Sequence, residues 1–309
     1  MNSLFAISPV DGRYFNHTGD FRKICSEFAL IKYRLIAEIR WLKTLAEHPE
    51  IKELQPLSEK SKKILENIII NFDEKDAKRV KEIEKTTNHD VKAVEYFLKE
   101  KVKNNQELNL KKEFIHFACT SEDISNLAYA QMLLHAKNFY ILPCMDNVIS
   151  RLQEIAKKSA SIPLLSKTHG QPASTTTIGK EFANIVARLK RKREMLVKTK
   201  RLGKRKGGVG NVNAHSIAYP NINWPIISKK VVESLGLIWN KYTTQIEPHD
   251  YIADYCYLMA SFNTILLDFN KDIWTYISNG HFKQIIVKTE VGSSTMPHKV
   301  NTIDFENSE

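Results

Sequence analysis

The longest uninterrupted helical pattern in the chain is residues 251–278, YIADYCYLMASFNTILLDFNKDIWTYIS. Its apolar side chains recur at steps of three, four and seven residues, which places them on one face of an α-helix. They are Leu258, Phe262, Ile265, Leu266, Phe269 and Ile273. A helix of this length spans roughly 35–40 Å at ~1.5 Å per residue, a dimension that is typical of an elongated helical bundle.

Helical periodicity also dominates the rest of the chain, whereas strand signals are few and short. Pro143 is expected to kink one of these helices, because proline has no backbone N–H to donate. The pattern predicts helices at residues 21–48, 57–72, 90–102, 121–160 and 178–202. The predicted fold class is therefore mainly α, with an N-terminal helical domain at residues 1–110 and a long-helix bundle at residues 111–309.

The composition of the 309 residues excludes several classes of protein. Hydrophobic residues make up 42% and charged residues 26%, so the chain can form a core and is not disordered. No apolar run approaches the ~20 residues that a membrane helix needs, and residues 1–14 lack the regions of a signal peptide. The four cysteines are far apart without a CxxC pair, which predicts reduced core thiols in a cytoplasmic protein. They are Cys25, Cys119, Cys144 and Cys256.

The net charge of +11 is concentrated in residues 188–206, where eleven Lys and Arg residues accompany a single acid, Glu194. The remaining charges nearly balance, so the excess is a local stretch and not a field over the whole molecule. Such a stretch could bind a polyanion. More often it is a solvated helix face, and the sequence leaves both interpretations open.

Four polar clusters interrupt the apolar pattern, at residues 86–90, 120–123, 168–173 and 292–301. The first two precede helices, where capping is an ordinary role, although free N–H groups at a helix start also bind carboxylates or phosphates. The third places His169 beside a glycine and near a proline, and histidine suits proton transfer near neutral pH.

The fourth cluster reads GSSTMPHKVN and gives the strongest chemical signal. No Gly-x-Ser-x-Gly elbow surrounds its serines, so a nucleophilic role is not indicated. A serine here can instead act as a base if loop N–H groups and a nearby cation stabilise its alkoxide. Lys299 and Asn301 supply a cation and an amide two residues apart. A solvated surface loop is the alternative.

Residues 292–301 resemble the signature of the fumarase/aspartase superfamily of elimination enzymes. Within it, residues 8–14, 86–98 and 117–123 are similar to the bacterial adenylosuccinate lyase family. The similarity includes residues 245–251, QIEPHDY, and extends over essentially the whole chain.

The resemblance implies a β-elimination that cleaves adenylosuccinate to AMP and fumarate, and SAICAR to AICAR and fumarate, in purine biosynthesis. A proton leaves the carbon beside a carboxylate, and the nitrogen then departs with a proton. Donors placed at the developing charge usually make the largest catalytic contribution. By the match, Ser293 is the base, His169 is the acid that protonates the departing nitrogen, and His89 assists near His169.

The same match assigns the residues that bind the substrate. Lys299, Asn301 and Ser294 are expected to hold the succinyl carboxylates, and Arg13 and Tyr14 to contact the phosphate. The rest of the site is expected to be lined by Asn88, Asp90, Thr120, Ser121, Gln245 and Asn307. No metal or organic cofactor is implied, and neither a membrane nor a nucleic acid is an expected partner. The family forms homotetramers, in which different subunits contribute clusters to each active site.

Three departures from the family pattern stand out, one of them the basic stretch at residues 188–206, which is heavier than the family pattern leads one to expect. Thr302 replaces the usual proline after the asparagine, which could loosen the loop that carries Ser293. Family members also continue well beyond Glu309, so a C-terminal domain is expected to be absent here. The 309 residues alone are then expected to be weakly active or inactive and prone to aggregate, because part of the apolar face at residues 251–278 would stay exposed. The alternative function is a non-catalytic remnant, or a polyanion-binding protein that uses residues 188–206.

Overall fold

The computed structural model describes residues 3–285, 295–296 and 299–309. It confirms the predicted mainly α fold class. The helices are α1 Glu27–Ala46, α2 Glu59–Ile70, α3 Glu74–Thr87, α4 Asp90–Val102, α5 Gln106–Lys111, α6 Ser121–Ala136, α7 Leu142–Lys158, α8 Ile178–Lys198, α9 Asn213–Ala218, α10 Trp224–Ser234, α11 Asp250–Ser278 and α12 Ile303–Ser308. The strands are β1 Pro163–Thr168, β2 Gln171–Thr177, β3 Leu202–Gly203 and β4 Ile238–Trp239. β1 pairs antiparallel with β2, and β3 pairs parallel with β4.

The helix at residues 121–160 is divided in the way that its proline predicts. A π-helical turn at Lys137–Ile141 separates α6 from α7, and Pro143 is the second residue of α7. A proline cannot donate the backbone hydrogen bond that regular α-helical continuation requires, and the π turn ends two residues before it.

The chain folds into two compact units. The first unit comprises Met1–Ile141 and Lys200–Tyr251. Its core is formed mainly by side chains of α1, α4 and α10, including the fully buried Trp41, Phe97 and Trp224. The domain boundary near residue 110 stays a prediction.

The second unit comprises Leu142–Thr199 and Ile252–Glu309. Gly179 allows α8 to begin against the end of α7, because a Cβ atom there would lie 2.4 Å from the carbonyl oxygen of Ala156. Phe182 of α8 contacts Phe269 of α11, with ring centroids 5.7 Å apart. The hairpin of β1 and β2 connects α7 to α8.

The prediction that all four cysteines are core thiols is wrong for two of them. Every cysteine is unpaired, but Cys144 and Cys256 are exposed, and Cys25 and Cys119 are half-buried. Cysteine is a small hydrophobic residue, and its identity alone does not indicate which face of a helix it occupies. In the part of the chain that the structure describes, no helix is long and apolar enough to cross a membrane.

The basic stretch at residues 188–206 is a solvated helix face only in part. On α8, Arg188 pairs with Asp268 at 2.6 Å and Arg193 pairs with Asp146 at 2.7 Å. After the helix ends, four cations of the stretch become buried in the first unit: Arg201, Lys204, Arg205 and Lys206. Because these four side chains are buried, they are not part of a surface for polyanions; Lys204 pairs with Asp123, and Arg205 lies over the ring of Trp41.

Candidate active site

The predicted cluster at residues 86–90 forms the junction of α3 and α4. Asn88 ends α3 with a left-handed backbone (φ 50°), which asparagine adopts more easily than most residues. His89 is the N-cap of α4, and its Nδ1 accepts the backbone N–H of Lys92 at 3.2 Å. A neutral imidazole that accepts at Nδ1 carries its hydrogen on Nε2, so the capping contact orients the donor. Capping and a functional role are therefore compatible in this histidine.

The Nε2 atom of His89 faces the other predicted cluster of the first unit. It lies 3.3 Å from the hydroxyl oxygen of Ser121, the first residue of α6. The side-chain amide of Gln245 donates to the hydroxyl of Thr120 at 3.1 Å. Two hydrogen-bonded pairs thus link four predicted site residues: His89 with Ser121, and Gln245 with Thr120. Thr120 and Ser121 are adjacent in the sequence.

Asp90 forms an ion pair with Arg34, at 2.7 Å between Oδ2 and Nη2. Burial pushes the pKa of the Asp90 carboxyl upward, but Arg34 and the N–H of Val91 outweigh it, so the pKa lies below its ordinary value. The carboxylate therefore stays charged at neutral pH. Arg34 was not among the residues indicated by sequence, because it lies within the long helix α1 and outside the four polar clusters.

The Thr120–Ser121 turn is anchored from behind by Asp123, which is completely buried. One carboxylate accepts the backbone N–H of Thr120 at 2.9 Å and those of Lys206 and Gly207 at 2.8 and 2.9 Å. Lys204 pairs with the same carboxylate at 2.9 Å. Burial raises the pKa of Asp123, yet Lys204 and Arg205 lower it further, and the net direction is downward. Sequence analysis indicated a helix cap here and missed this second role.

Arg205 completes this buried network. Its guanidinium lies over the ring of Trp41, and it donates to the sulfur of Cys119. Burial raises the pKa of that thiol well above its ordinary value, which makes Cys119 a packing residue and not a nucleophile.

Arg13 and Tyr14 lie in a series of turns near the start of the chain, and both are exposed. The Arg13 guanidinium is 5.8 Å from the centroid of the Tyr14 ring. Among the described residues, neither shares a hydrogen bond or ion pair with the linked group of His89, Thr120, Ser121 and Gln245. Their predicted phosphate-binding role stays a prediction.

The second unit presents His169 at the tip of its hairpin. His169 and Gly170 both have positive φ, 53° and 74°, between the paired residues Thr168 and Gln171. Two central residues of this kind form a type I′ turn, the geometry that matches the twist of a two-stranded ribbon. The cluster at residues 168–173 is thus part of a hairpin with an exposed imidazole at its turn, and not an irregular loop.

The remaining predicted residues lie near the end of the chain. Lys299 has an exposed side chain, and its N–H donates to the carbonyl of Met296 at 2.9 Å. Asn301 is half-buried, and Asn307 is exposed on α12. Ser293 and Ser294 lie outside the described residues, so their assignments stay predictions.

Comparison with known proteins places this arrangement in a class. The family described as "Lyase" matches residues 12–309. Two solved structures share the fold: 3-carboxy-cis,cis-muconate lactonizing enzyme from Pseudomonas putida and fumarate lyase from Mesorhizobium sp. BNC1. Both have a TM-score of 0.67, at 17% and 14% identity. They cover 94% and 84% of this chain, which in turn covers 62% and 57% of theirs.

Curated sequences refine the class. Adenylosuccinate lyases from Haemophilus influenzae, Vibrio cholerae and Escherichia coli K12 are 55%, 56% and 54% identical to the whole of this chain. The chain spans 68% of the length of each of them. It belongs to the lyase family that the fold defines and, within that family, to the adenylosuccinate lyases.

Proposed function

We propose that this chain catalyses the β-elimination of fumarate from adenylosuccinate, leaving AMP, and the matching cleavage of SAICAR to AICAR in purine biosynthesis. The observation that carries the proposal is the identity of 54–56% to three adenylosuccinate lyases along the full 309 residues. The polar clusters lie in the expected order along that match.

The elimination needs a base at a carbon beside a carboxylate and an acid at the departing nitrogen. Ser293 is assigned the base role and His169 the acid role. A histidine at a type I′ turn has a defined backbone position from which to deliver a proton, because the residues on both sides of the turn are paired. Lys299, Asn301 and Ser294 are assigned to the carboxylates, where negative charge develops.

The linked group in the first unit is suited to bind a polar substrate. It presents the imidazole of His89, the hydroxyls of Thr120 and Ser121, and the amide of Gln245. These groups form hydrogen bonds of defined direction, as recognition of a nucleotide requires. Asn88 and Asp90 flank them, and Arg13 with Tyr14 is assigned to the phosphate.

We further propose a homotetramer in which clusters of different copies complete each active site. A cytoplasmic location is consistent with four unpaired cysteines. The reaction as written requires no metal and no organic cofactor.

The assay that tests the function follows the conversion of adenylosuccinate to AMP and fumarate by the purified chain. Ser293→Ala and His169→Ala should each lower kcat by roughly 10²–10⁴-fold, the usual contribution of a general acid or base. His48→Ala, at a histidine in the turn after α1, is the matched control and should retain activity. Turnover of argininosuccinate or malate, with none of adenylosuccinate or SAICAR, would assign the chain to a sibling lyase.

A further inference from the structure

The segment that carries Gln245 connects β4 to α11, and it is held at both of its ends. At its start, the carbonyl oxygens of Thr243 and Thr244 pack against Gly210. A Cβ atom at Gly210 would lie 2.4 Å from each of those oxygens, so only glycine fits there. At its end, His249 precedes α11 and has a left-handed backbone, with φ of 64°. A non-glycine residue in this conformation is strained, and its surroundings must enforce it.

His249 lies between two carboxylates. Its Nε2 atom is 2.9 Å from Oε1 of Glu122, and its Nδ1 atom is 3.4 Å from Oε2 of Glu247. The backbone N–H of His249 also donates to Glu247 at 2.7 Å. Glu247 is buried and accepts a further hydrogen bond from Asn240 at 2.8 Å. The imidazole therefore connects the 243–249 segment to the first turn of α6.

That first turn also carries Thr120 and Ser121. Glu122 follows Ser121 directly, and the backbone N–H of Glu247 reaches Oε1 of Glu122 at 3.4 Å. The Gln245 side chain, two residues before Glu247, is exposed and donates one hydrogen bond, to Thr120. The position of the Gln245 side chain is therefore determined mainly by residues 243–249, the segment to which it belongs, and less by its own contacts.

We propose that His249, through its pair with Glu122, is a positioning residue that sets the amide of Gln245 on the hydroxyl of Thr120. The inference rests on the proposed function, since Gln245 and Thr120 are there assigned to substrate binding. His249 itself touches no reacting group in this role. It acts through Gln245.

The first test is a double-mutant cycle on the full chain with adenylosuccinate as substrate. Asparagine tolerates a left-handed backbone but is too short to reach Glu122 and Glu247 together, so His249→Asn removes the connection without new backbone strain. His249→Asn and Gln245→Ala should each raise KM about tenfold, as expected for one lost polar contact, with a smaller change in kcat. The KM of the double variant should also be raised only about tenfold, because His249 acts through Gln245 and the two effects do not multiply.

Two further variants separate positioning from a general stabilising role. Glu122→Gln keeps an acceptor oxygen for Nε2 of His249. The KM of this variant should therefore stay within about threefold of that of the unsubstituted chain. His116→Asn is the matched control, since His116 also has a positive φ (61°) and pairs with a carboxylate, Glu38, at 2.6 Å. It should lower Tm, and its effect on KM should multiply with that of Gln245→Ala. Multiplying effects of His249→Asn and Gln245→Ala would overturn the proposal.

A second measurement needs no substrate. Hydrogen exchange of the peptide that covers residues 243–249 should be faster in His249→Asn than in the unsubstituted chain or in His116→Asn. Unchanged exchange overturns the positioning role. If the chain does not turn over adenylosuccinate, the proposed function fails while this measurement still decides the role of His249.

Discussion

His215 is almost completely buried among aromatic rings, with ring centroids 4.9 Å from Trp224 and 5.8 Å from Trp41. Neither of its ring nitrogens has a hydrogen-bond partner in the part of the chain that the structure describes. Burial, reinforced by the charge of Arg205, lowers the pKa of His215 to about 4. The imidazole is therefore neutral in the folded state at neutral pH.

This depressed pKa predicts a specific acid sensitivity. The unfolded chain binds a proton at His215 below pH ~6.5, whereas the folded chain does so only near pH 4, so acid favours unfolding. The contribution of this group is complete above pH ~6.5 and is lost as the pH falls toward 4, in total roughly 3 kcal/mol. Urea unfolding at a series of pH values measures it. His215→Leu should reduce the slope in this window. The matched change at an exposed histidine, His281→Leu, should keep it, and equal slopes in all three proteins would contradict the assignment.

At the residue scale, the sequence predicts which residues belong to the candidate site. It does not predict which residues hold them in place. His89, Thr120, Ser121 and Gln245 are predicted from their clusters, and the structure links them in pairs. Asp123 and His249 also lie in stretches that the sequence singles out, but their supporting roles are not predicted, because the partners Lys206 and Glu122 are distant from them in sequence. The contacts of Lys204 and Lys206 with Asp123 were not predicted either. Both residues belong to the basic stretch at residues 188–206, whose composition favours a solvated helix face.

Among the elements, α8 begins close against the end of α7 because residue 179 is a glycine and has no side chain. Gly179→Ala would place a Cβ atom 2.4 Å from the carbonyl oxygen of Ala156 and 2.6 Å from the Cα of Ala160, both backbone atoms. The backbone segments must separate, at a cost of about 3 kcal/mol in the free energy of unfolding.

Two other glycines make a matched series for this prediction. Gly170 has open space for a Cβ atom but a φ of 74°, so Gly170→Ala should cost about 1 kcal/mol from backbone strain alone. Gly208 has open space and no positive φ, so Gly208→Ala should change stability by less than about 0.5 kcal/mol. Denaturant melts rank the three, and a Gly179→Ala effect no larger than that of Gly170→Ala would refute the packing argument.

Elements with a long apolar periodicity are predicted well from the sequence. The elements that were not predicted lack this periodicity. α4 has the bounds predicted for it, residues 90–102. α1 begins at Glu27 and not at residue 21, because Ser26 caps it by accepting the N–H of Ala29. α3 was not predicted, since its segment is dominated by charged residues and has few apolar ones. β1 and β2 were not predicted either, because most of their residues are exposed and they show no clear alternation.

For the whole molecule, the proposed sharing of active sites gives a direct test. His89 lies in the first unit and His169 in the second. If each active site takes these residues from different copies, His89→Ala and His169→Ala should each be nearly inactive, yet refold together into mixed tetramers with measurable turnover. Light scattering checks that the mixed species has about four times the mass of one chain.

Each variant refolded with itself is the control and should stay inactive. A mixture without activity, in tetramers shown to contain both variants, would argue that one copy supplies both histidines.

The buried network around Asp123 also bears on how the chain acquires its fold. The side chain of Asn126 exchanges two hydrogen bonds with the backbone of Lys204, 78 residues later, and the whole second-unit segment from Leu142 to Thr199 lies between them. Closing a loop of that length costs about 4 kcal/mol in chain entropy. A ribosome must therefore synthesise residues 204–207 before the carboxylate behind the Thr120–Ser121 turn meets its cation, so this turn stays without its anchor while the whole segment from Leu142 to Thr199 is made.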